Sequence, residues 1–316
     1  MGADLKIAVV IPCYRVKDHI LDVIDCIGPE VSKIYVVDDA CPDGSGKFVQ
    51  KNSKDKRLSF TFHEENQGVG GAVISGYKAA YADGADVIVK IDGDGQMDPS
   101  QILRLVEPLT FGFDYSKGNR FDNLQMLRKM PTIRLLGNAI LSLVSKFASG
   151  YWSVNDPTNG YTAITASTLE GLAFEKISKS YFFESDMLFQ LSLINASVAD
   201  VSIGAIYGSE KSNLRISRAA LEFPVKHFGN FCKRIFYKYY LREWTVASLE
   251  IPVSIILASV GTISWLGYFL NGVETGAGIT AGQVTFSSLA IMLAVQLGLA
   301  ALSYDIASEP KVGEKR

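Results

Sequence analysis

Two long runs near the C-terminal end of the sequence carry no charged residue, and they constrain the fold more than any other feature. The first covers residues 251–270 and the second covers residues 284–304. At about 1.5 Å rise per residue, a helix of either length can cross a hydrocarbon core of roughly 30 Å. Helices buried in a soluble core are the alternative, although such helices usually carry charge on one face. We therefore predict a membrane region at residues 246–308, with transmembrane helices at about 250–271 and 283–304.

Basic residues flank these two runs but are missing from the segment between them. Residues 271–283 contain no Lys or Arg. The flanking basic residues are Lys233, Arg234, Lys238 and Arg242 on one side, and Lys311, Lys315 and Arg316 on the other. Because positive charge favours the cytoplasmic side, we predict that both termini are cytoplasmic, including a tail of residues 309–316. The chain is then a multi-pass protein of the cell (inner) membrane with its N-terminal part in the cytoplasm.

The segment before the first run, residues 216–245, mixes aromatic and basic residues. Phe228, Phe231, Phe236 and Trp244 are examples, and they alternate with Lys and Arg. Such a composition next to a transmembrane helix is typical of amphipathic helices that lie in the lipid headgroup layer. A helix that packs against a globular domain is the alternative interpretation.

The first two hundred residues alternate between strand-like and helix-like patterns. Apolar runs at residues 7–11, 34–37, 58–62 and 87–91 predict strands, and residues 18–27, 70–82 and 99–109 predict helices between them. Such alternation predicts an α/β fold with a parallel sheet, whose ligands bind beyond the carboxyl ends of the strands. The chain has 31 basic and 33 acidic residues, a balance that excludes a polycationic nucleic-acid-binding protein.

The fourth predicted strand ends in Asp92-Gly93-Asp94. Two carboxylates separated by one glycine can converge on Mg²⁺ or Mn²⁺ and leave coordination positions for diphosphate oxygens. A simple Asp-Gly turn is the alternative. A calcium loop that starts at Asp92 is excluded because its twelfth residue is Leu103. The chain also lacks the dinucleotide-binding fingerprint and the phosphate-binding loop of nucleoside triphosphatases.

Several motifs in order identify a family. IPCYR, VVDDACPDGSG, NQGVGGAVISGY, KIDGDGQMDP, KGNRF and NDPTNGY, which lie between about residues 5 and 215, resemble the family 2 glycosyltransferases of GT-A fold. More narrowly, they resemble the polyprenyl-phosphate glycosyltransferases, relatives of dolichol-phosphate mannose and glucose synthases and of bacterial undecaprenyl-phosphate glucosyltransferases. Arg15-Val16 departs from the Asn-Glu that relatives usually have at these positions, which affects recognition of the base.

The resemblance implies a GT-A (Rossmann-like, mostly parallel) catalytic domain at residues 1–215. It implies an inverting transfer of a hexose from a nucleotide-sugar to polyprenyl (undecaprenyl or dolichyl) phosphate, with Mg²⁺ or Mn²⁺. A UDP-sugar is the preferred donor and GDP-mannose an alternative. The product is a lipid-linked monosaccharide for cell-envelope glycan or protein glycosylation. Both a monomer and a homo-oligomer stay open.

The resemblance also assigns roles to single residues. Those expected to bind the nucleotide-sugar are Pro12, Tyr14, Asp38, Asp39, Gln67, Asp92, Gly93, Asp94 and Gln96, with Asp92 and Asp94 as metal ligands. Those expected to bind the acceptor and its phosphate are Arg120, Arg134, Glu184, Asp186, Lys211 and Arg215. The expected catalytic residues are Asp94, Asp156, Arg120 and Arg134.

Each softer assignment has a simpler alternative. Arg120 and Arg134 are also compatible with surface ion pairs or solvated charges, and Asp156 with a cap before Pro157. Glu184 and Asp186 are compatible with acidic residues in the first turn of a helix, where they complement the helix dipole.

Two other functions fit parts of the sequence. A processive polysaccharide synthase of the same superfamily usually carries Gln-x-x-Arg-Trp and more transmembrane helices, whereas this chain has Leu241-Arg242-Glu243-Trp244. A membrane-anchored nucleotide-sugar-binding module without catalysis is the other alternative, and the intact pair of Asp92 and Asp94 disfavours it.

Overall fold

The computed structural model describes residues 5–122, 132–204 and 216–313, without the side chains of residues 133, 134 and 216–221. The chain divides into two units. One contains residues 1–234 and 310–316, and the other contains residues 235–309.

The described strands of the first unit form one sheet of seven. The strands are β1 (Ile7–Cys13), β2 (Val31–Asp38), β3 (Leu58–Phe62), β4 (Val87–Lys90), β5 (Tyr115–Asn119), β6 (Thr162–Thr165) and β7 (Val198–Ser202). Their order is β3-β2-β1-β4-β6-β5-β7. β1 to β4 are mutually parallel, whereas β6 runs antiparallel to its neighbours β4 and β5. β7 is parallel to β5 and forms the edge.

Helices connect these strands and cover both faces of the sheet. They are α1 (Ile20–Asp25), α2 (Ser45–Asn52), α3 (Val69–Ala82), α4 (Ile102–Thr110), α5 (Thr132–Ser149), α6 (Ala166–Glu170), α7 (Phe183–Leu193) and α8 (Ile216–Phe236). Short 3₁₀ turns occupy Pro99–Gln101 and Phe174–Lys176.

The side chains of β1 alternate between two hydrophobic clusters. Val10 packs with α3 and α7, whose Tyr77 and Met187 are fully buried. Val9 and Ile11 pack on the opposite face, together with α1, α2 and α4. A strand with both faces buried reads as a continuous apolar run, which is the pattern of Ile7–Cys13. The expected α/β architecture with a mostly parallel sheet is therefore confirmed.

Helix α8 presents two different faces. His227, Asn230 and Arg234 are buried, and Arg234 donates to the carbonyl oxygen of Phe147 at 2.9 Å. Val225 and Phe228, by contrast, are 72% and 67% exposed. One face of this helix therefore packs against the globular unit, which was the alternative interpretation of the sequence. The other face is apolar and exposed. Its placement in the headgroup layer stays a prediction.

The second unit contains two long helices, α9 (Val246–Thr275) and α10 (Ala281–Ala307), after a π-helical turn at Tyr237–Arg242. Small residues let the two helices approach closely, as is common between transmembrane helices. A Cβ on Gly261 would lie 2.8 Å from Cγ1 of Ile291, and Ser254 donates to the carbonyl oxygen of Ala294 at 2.8 Å. Both helices are long and apolar enough to cross a membrane, and most of their side chains are exposed.

Both helices extend beyond the uncharged runs by several residues. At the start of α9 the Ser248 hydroxyl accepts from the N–H of Thr245 at 2.8 Å, and a capping box at Thr280 begins α10. Gly276 in the left-handed conformation ends α9. The hydrophobic pattern predicts the existence of each helix, whereas capping groups decide where it begins and ends.

Gly76 tests the contact between α3 and β1. A Cβ at Gly76 would lie 2.3 Å from Cγ1 of Val10, whereas a Cβ at Gly137 in α5 would meet nothing within 4 Å. We expect Gly76→Ala to lower the free energy of unfolding by about 1–3 kcal/mol through overpacking. The matched Gly137→Ala should raise it by up to about 1 kcal/mol, because alanine favours a helix over glycine. Thermal unfolding of the detergent-solubilised chain measures both, and equal stability of the two variants would contradict the packing.

Candidate active site at the carboxyl edge of the sheet

One edge of the sheet collects the polar segments that follow the strands. β1, β2, β4 and β5 all point their carboxyl ends at this edge. Because β6 runs antiparallel, the residues just before it, Asn159 and Gly160, reach the same edge between β4 and β5. The topology thus brings together motifs that are separated by up to about 150 residues in the sequence.

The two aspartates after β2 shape the neighbouring loops. Asp38 accepts hydrogen bonds from the backbone N–H groups of Cys41 and Gly46, at 2.7 and 2.8 Å. Asp39 accepts from the N–H groups of Gln67 and Gly68, both at 2.8 Å. Both aspartates are buried. They therefore fix the walls of the expected nucleoside site.

His63 and Lys179 complete this wall. Nδ1 of His63 lies 2.7 Å from Asp39 Oδ1, and its Nε2 lies 2.9 Å from the Ser75 hydroxyl. The side chain of Gln67 accepts from Lys179 Nζ at 3.3 Å. Gly68 has φ +84°, and a Cβ there would lie 2.4 Å from the carbonyl oxygen of Lys179, so only glycine fits at this close approach.

The end of β1 supplies the expected Pro12 and Tyr14. Pro12 pairs with Val37 in the β1–β2 register, and Tyr14 is 39% exposed. The guanidinium of Arg15 lies 5.5 Å from the centre of the Tyr14 ring. Arg15 itself has φ +57°, a left-handed conformation that is uncommon outside glycine. The residue at which the sequence departs from its relatives therefore stacks on an expected binding residue.

The segment Asp92-Gly93-Asp94, called the metal motif below, forms a tight turn after β4. The carboxylate of Asp94 accepts from the N–H of Gln96 at 3.0 Å, which closes the turn. A Cβ on Gly93 would lie only 3.2–3.4 Å from Val16, Ile11 and Ile20, so the turn is packed closely onto α1. The two interpretations of this segment, a simple Asp-Gly turn and a pair of carboxylates for a divalent ion, are therefore compatible with each other.

Two buried lysines lie in neighbouring parts of the sheet, and Lys90 contacts this motif directly. In the strand register both Lys90 of β4 and Lys117 of β5 pair with Thr162 of β6, so they form one row across three strands. Nζ of Lys90 lies 2.9 Å from both Asp92 Oδ1 and Glu184 Oε1. Nζ of Lys117 lies 3.4 Å from the other oxygen of Glu184 and donates to the carbonyl oxygen of Asn159 at 2.6 Å.

The two ammonium groups respond differently to burial. Burial acts to lower the pKa of Lys90, but the carboxylates of Asp92 and Glu184 outweigh it and raise that pKa above its usual range. Burial lowers the pKa of Lys117, and attraction to Glu184 offsets only part of the effect. The charged form of Lys90 is therefore favoured beside Asp92.

Gly160 leaves room for this arrangement. A Cβ there would lie 2.3 Å from Lys90 Nζ and 2.8 Å from Asp92 Oδ2, and its carbonyl oxygen accepts from Lys90 at 3.1 Å. Any side chain at this position would push apart the lysine and the aspartate.

Arg120 and Asp156 form a bidentate ion pair at the end of β5. Nε and Nη2 of Arg120 donate to the two carboxylate oxygens of Asp156, at 2.7 and 3.0 Å. The side chain of Asp156 is fully buried, whereas that of Arg120 is 29% exposed. Such a fork fixes the plane of the guanidinium, because both hydrogen bonds must be satisfied together. Asp156 is thus a partner of Arg120, in addition to preceding Pro157.

Glu184 and Asp186 lie in the first turn of α7 and have different partners. Glu184 is linked to Asp92 through Lys90. Asp186 accepts from the N–H of Ser178 at 2.7 Å and from the side-chain amide of Asn230 at 2.9 Å, so it ties α7 to α8. The side chain of Arg134, together with the whole of Lys211 and Arg215, lies outside the described residues.

A groove of about 400 Å³ lies beside the end of β5. Polar residues line one part of it, among them Asn119, Asp122 and Lys146, and Leu135 and Leu143 of α5 line another. Asp200, whose carboxylate accepts from the N–H of Asn155 at 2.8 Å, lies next to it, and burial raises the pKa of Asp200 to about 6.

The carboxylates of this edge fit a divalent ion that is shared with a ligand. Within residues 5–122, 132–204 and 216–313, no three His, Cys, Asp or Glu side chains come together to hold a metal. Asp92 and Asp94 would therefore supply one or two oxygens, and water or a phosphate would supply the rest. Mg²⁺ is commonly bound in this way, through few carboxylates and substrate phosphates.

Lys90, Lys117 and Gly160 lie within the motifs KIDGDGQMDP, KGNRF and NDPTNGY, but no role was predicted for them. A signal was present for Lys90, because a lysine inside the apolar run of residues 87–91 is unusual in a buried strand and implies paired acceptors. The acceptors themselves, Glu184 and Gly160, lie 70 or more residues away. Their contact with Lys90 depends on the fold.

Comparison with known proteins supports this assignment of the fold. In solved structures, the glucosyl-3-phosphoglycerate synthase of Mycobacterium tuberculosis, determined with Mn²⁺, uridine diphosphate and glucosyl-3-phosphoglycerate, is similar with a TM-score of 0.54. The two chains are 18% identical, and the match covers 73% of this chain and 80% of that one. At this identity the likeness concerns the fold alone.

Relatives at higher identity were found by sequence. The UDP-N-acetylglucosamine–dolichyl-phosphate N-acetylglucosaminyltransferase of Methanococcus voltae is 29% identical over 238 residues, which cover 71% of this chain and 94% of that protein. The undecaprenyl-phosphate mannosyltransferase of Micrococcus luteus is 30% identical over 203 residues, which cover 63% of this chain and 83% of that protein.

The family model described as Glycosyl transferase family 2 matches residues 8–171, which span β1 to α6 and include the metal motif, Arg120 and Asp156. This match covers more than half of the chain, and the family expected from the sequence motifs is confirmed: the chain belongs to glycosyl transferase family 2.

Proposed function

We propose that this chain transfers a single sugar from a nucleotide-sugar to the phosphate of a polyprenyl phosphate, with a divalent ion at Asp92 and Asp94. One observation carries the proposal. The metal motif follows β4 and the Arg120–Asp156 pair follows β5, and only β6 lies between these strands. Since neighbouring strands are about 4.8 Å apart, the two groups are separated by about 10 Å along one edge. A diphosphate and a phosphate monoester on either side of a sugar need a separation of this order.

The donor end combines a divalent-ion motif with a wall of fixed backbone groups. Asp38 and Asp39 each accept two backbone N–H hydrogen bonds, which hold the loops that follow β2 and β3. A wall held in this way favours positioning of the nucleoside, and the ion, when bound, would neutralise charge on the departing diphosphate. Both Methanococcus and Micrococcus relatives are named for transfer to a lipid phosphate, which supports the acceptor class.

The acceptor end needs a cation of fixed orientation and no strong base. The second pKa of a phosphate monoester is near 6, so the acceptor is largely dianionic at neutral pH and can attack directly. An oxygen of the acceptor phosphate forms the new bond to the anomeric carbon as the bond from that carbon to the diphosphate breaks, which inverts the configuration. Arg120, held by Asp156, attracts and orients the phosphate during this step.

A donor and acceptor screen tests the proposed function. The purified full chain is incubated in detergent with Mg²⁺ or Mn²⁺ and a panel of UDP- and GDP-sugars. Undecaprenyl phosphate is offered in one arm and 3-phosphoglycerate in the other. We expect one labelled sugar per lipid phosphate. A polymer would indicate a processive synthase, transfer to 3-phosphoglycerate alone would indicate a soluble acceptor, and no transfer with any donor would contradict the proposal.

Asp94→Asn tests the metal motif. The amide oxygen can still accept from the N–H of Gln96, so the turn is preserved while the negative charge is lost. We expect the transfer rate to fall by about 10²-fold or more, because charge on the leaving diphosphate is no longer neutralised. Asp83→Asn, an exposed partner of Lys33 at the end of α3, is the control and should keep the wild-type rate. A wild-type rate for Asp94→Asn would remove the metal from the proposed reaction.

Arg120→Lys tests the acceptor end. Lysine keeps the charge but loses the fork that Asp156 orients, so we expect the KM for polyprenyl phosphate to rise about 10–100-fold with little change in the KM for the donor. The matched control is Arg57→Lys, which breaks a similar fork with Asp55 far from this edge. That variant should lose stability and keep both KM values. An unchanged KM for polyprenyl phosphate in Arg120→Lys would place Arg120 outside the acceptor site.

We also propose that both termini lie in the cytoplasm, which the distribution of Lys and Arg supports. The Gly278→Cys variant, in the segment between α9 and α10, should react with a membrane-impermeant maleimide on intact cells. The wild-type chain, in which Cys26 and Cys232 are exposed, should react only after permeabilisation. Labelling of the wild type on intact cells would reverse the topology.

A further inference from the structure

The ammonium of Lys90 is held against the metal motif of the same chain by three acceptors. The side chain is 2% exposed. Its ammonium has three acceptors, namely Asp92 Oδ1 at 2.9 Å, Glu184 Oε1 at 2.9 Å and the carbonyl oxygen of Gly160 at 3.1 Å. An ammonium group has three N–H donors, so this set uses all of them. The lysine is therefore locked in place.

The two carboxylate oxygens of Asp92 have different surroundings. One oxygen is bound to Lys90, while the other faces Gly160, where a Cβ would lie 2.8 Å from it. The side chain of Asp92 is 30% exposed, so a ligand can reach it. A divalent ion bound to Asp92 would share this carboxylate with the ammonium of Lys90, which lies 2.9 Å from Oδ1, and two cations on one partly buried carboxylate repel each other.

Glu184 divides its two oxygens between Lys90 and Lys117. The two ammonium groups together balance the two carboxylates of Asp92 and Glu184, so the negative charge of Asp92 is already compensated before any ion is bound. A compensated carboxylate attracts a free divalent ion more weakly than a bare one, and the ammonium beside it lowers the repulsion that a diphosphate meets.

We propose that Lys90 is a positioning residue that acts through Asp92 and sets the order of binding. Without nucleotide, the protein binds divalent ions weakly. A nucleoside diphosphate would bind at this edge first, and Asp92 and Asp94 would then hold a divalent ion together with the phosphate oxygens. This inference rests on the proposed function, because it requires a nucleoside diphosphate at this edge.

A purely structural role for Lys90 makes a different prediction. If the lysine only holds Asp92 in place, removing it weakens binding of the ion and leaves metal-free nucleotide binding nearly unchanged. If the lysine is the resident cation, removing it strengthens binding of the ion and weakens metal-free binding of the nucleotide. The two affinities then change in opposite directions.

The test uses Lys90→Met in the full chain, purified in detergent. Glu184 keeps Lys117 as a partner in this variant, which favours folding. Mn²⁺ affinity without nucleotide is measured from the electron paramagnetic resonance signal of free Mn²⁺. Affinity for UDP and for GDP is measured by calorimetry in EDTA. We expect Mn²⁺ to bind at least about tenfold tighter, and the better-bound nucleotide at least about tenfold weaker, than in the wild type. Lys33→Met, which removes an exposed lysine paired with Asp83, should change neither affinity.

A second variant covers the case in which Lys90→Met does not fold. Lys90→Met combined with Glu184→Gln removes one buried charge of each sign and should shift both affinities in the same directions by less, because only the ammonium touches Asp92. Parallel loss of both affinities, or no change in either, would overturn the inference while leaving the proposed function intact. A wild-type chain that binds neither UDP nor GDP, even with Mn²⁺, would overturn the proposed function as well.

Discussion

A lysine that is buried at the end of a strand must be surrounded by acceptors, and the site is organised around that requirement at Lys90. Its three acceptors come from the turn after β4, from the segment before β6 and from the first turn of α7. Losing any one of them would leave a buried charge without full compensation, which costs several kcal/mol. These contacts therefore fix the relative positions of three segments, and they hold the Asp92 carboxylate of the metal motif in place.

The antiparallel strand β6 makes this arrangement possible. In a fully parallel sheet, the residues before a strand lie at the opposite edge from the residues that follow its neighbours. Because β6 is reversed, Gly160 meets Lys90 and Asn159 meets Lys117 at the carboxyl edge. The same strand separates β4 from β5, so the metal motif and the Arg120–Asp156 pair do not crowd each other. A ligand with phosphate groups on both sides of a sugar fits between them under the proposed function.

The sequence predicts the elements that depend on a local pattern, and it misses those that depend on contacts between residues distant in the sequence. β1 to β4 and the two C-terminal helices were predicted because each has a continuous apolar pattern of its own. Helix α2 was missed because its residues, SGKFVQKN, include only Phe48 and Val49 as large apolar residues. β6 has four residues and becomes a central strand through pairing with β4 and β5, which no local pattern shows.

The same distinction holds for the site. Asp92 and Asp94 stand out as a motif, and the resemblance to a family added Arg120 and Asp156. The contact between Arg120 and Asp156, which lie 36 residues apart, follows from the fold, as does the row of lysines that bind Glu184. Residues that hold these groups also lie within the motifs, since Lys90 belongs to KIDGDGQMDP and Gly160 to NDPTNGY, but their mutual contact follows from the fold.

The surface beside the acceptor end shows why a lipid phosphate suits this protein. Leu136, Ile140 and Leu143 of α5 are 61%, 55% and 52% exposed, and their spacing places them along one stripe of the helix. A stripe of this kind is costly in water and favourable against lipid. The groove by β5 joins this apolar helix to the polar residues near Arg120. A phosphate monoester on a long hydrocarbon chain matches both parts, whereas a small soluble phosphate would use only the polar one.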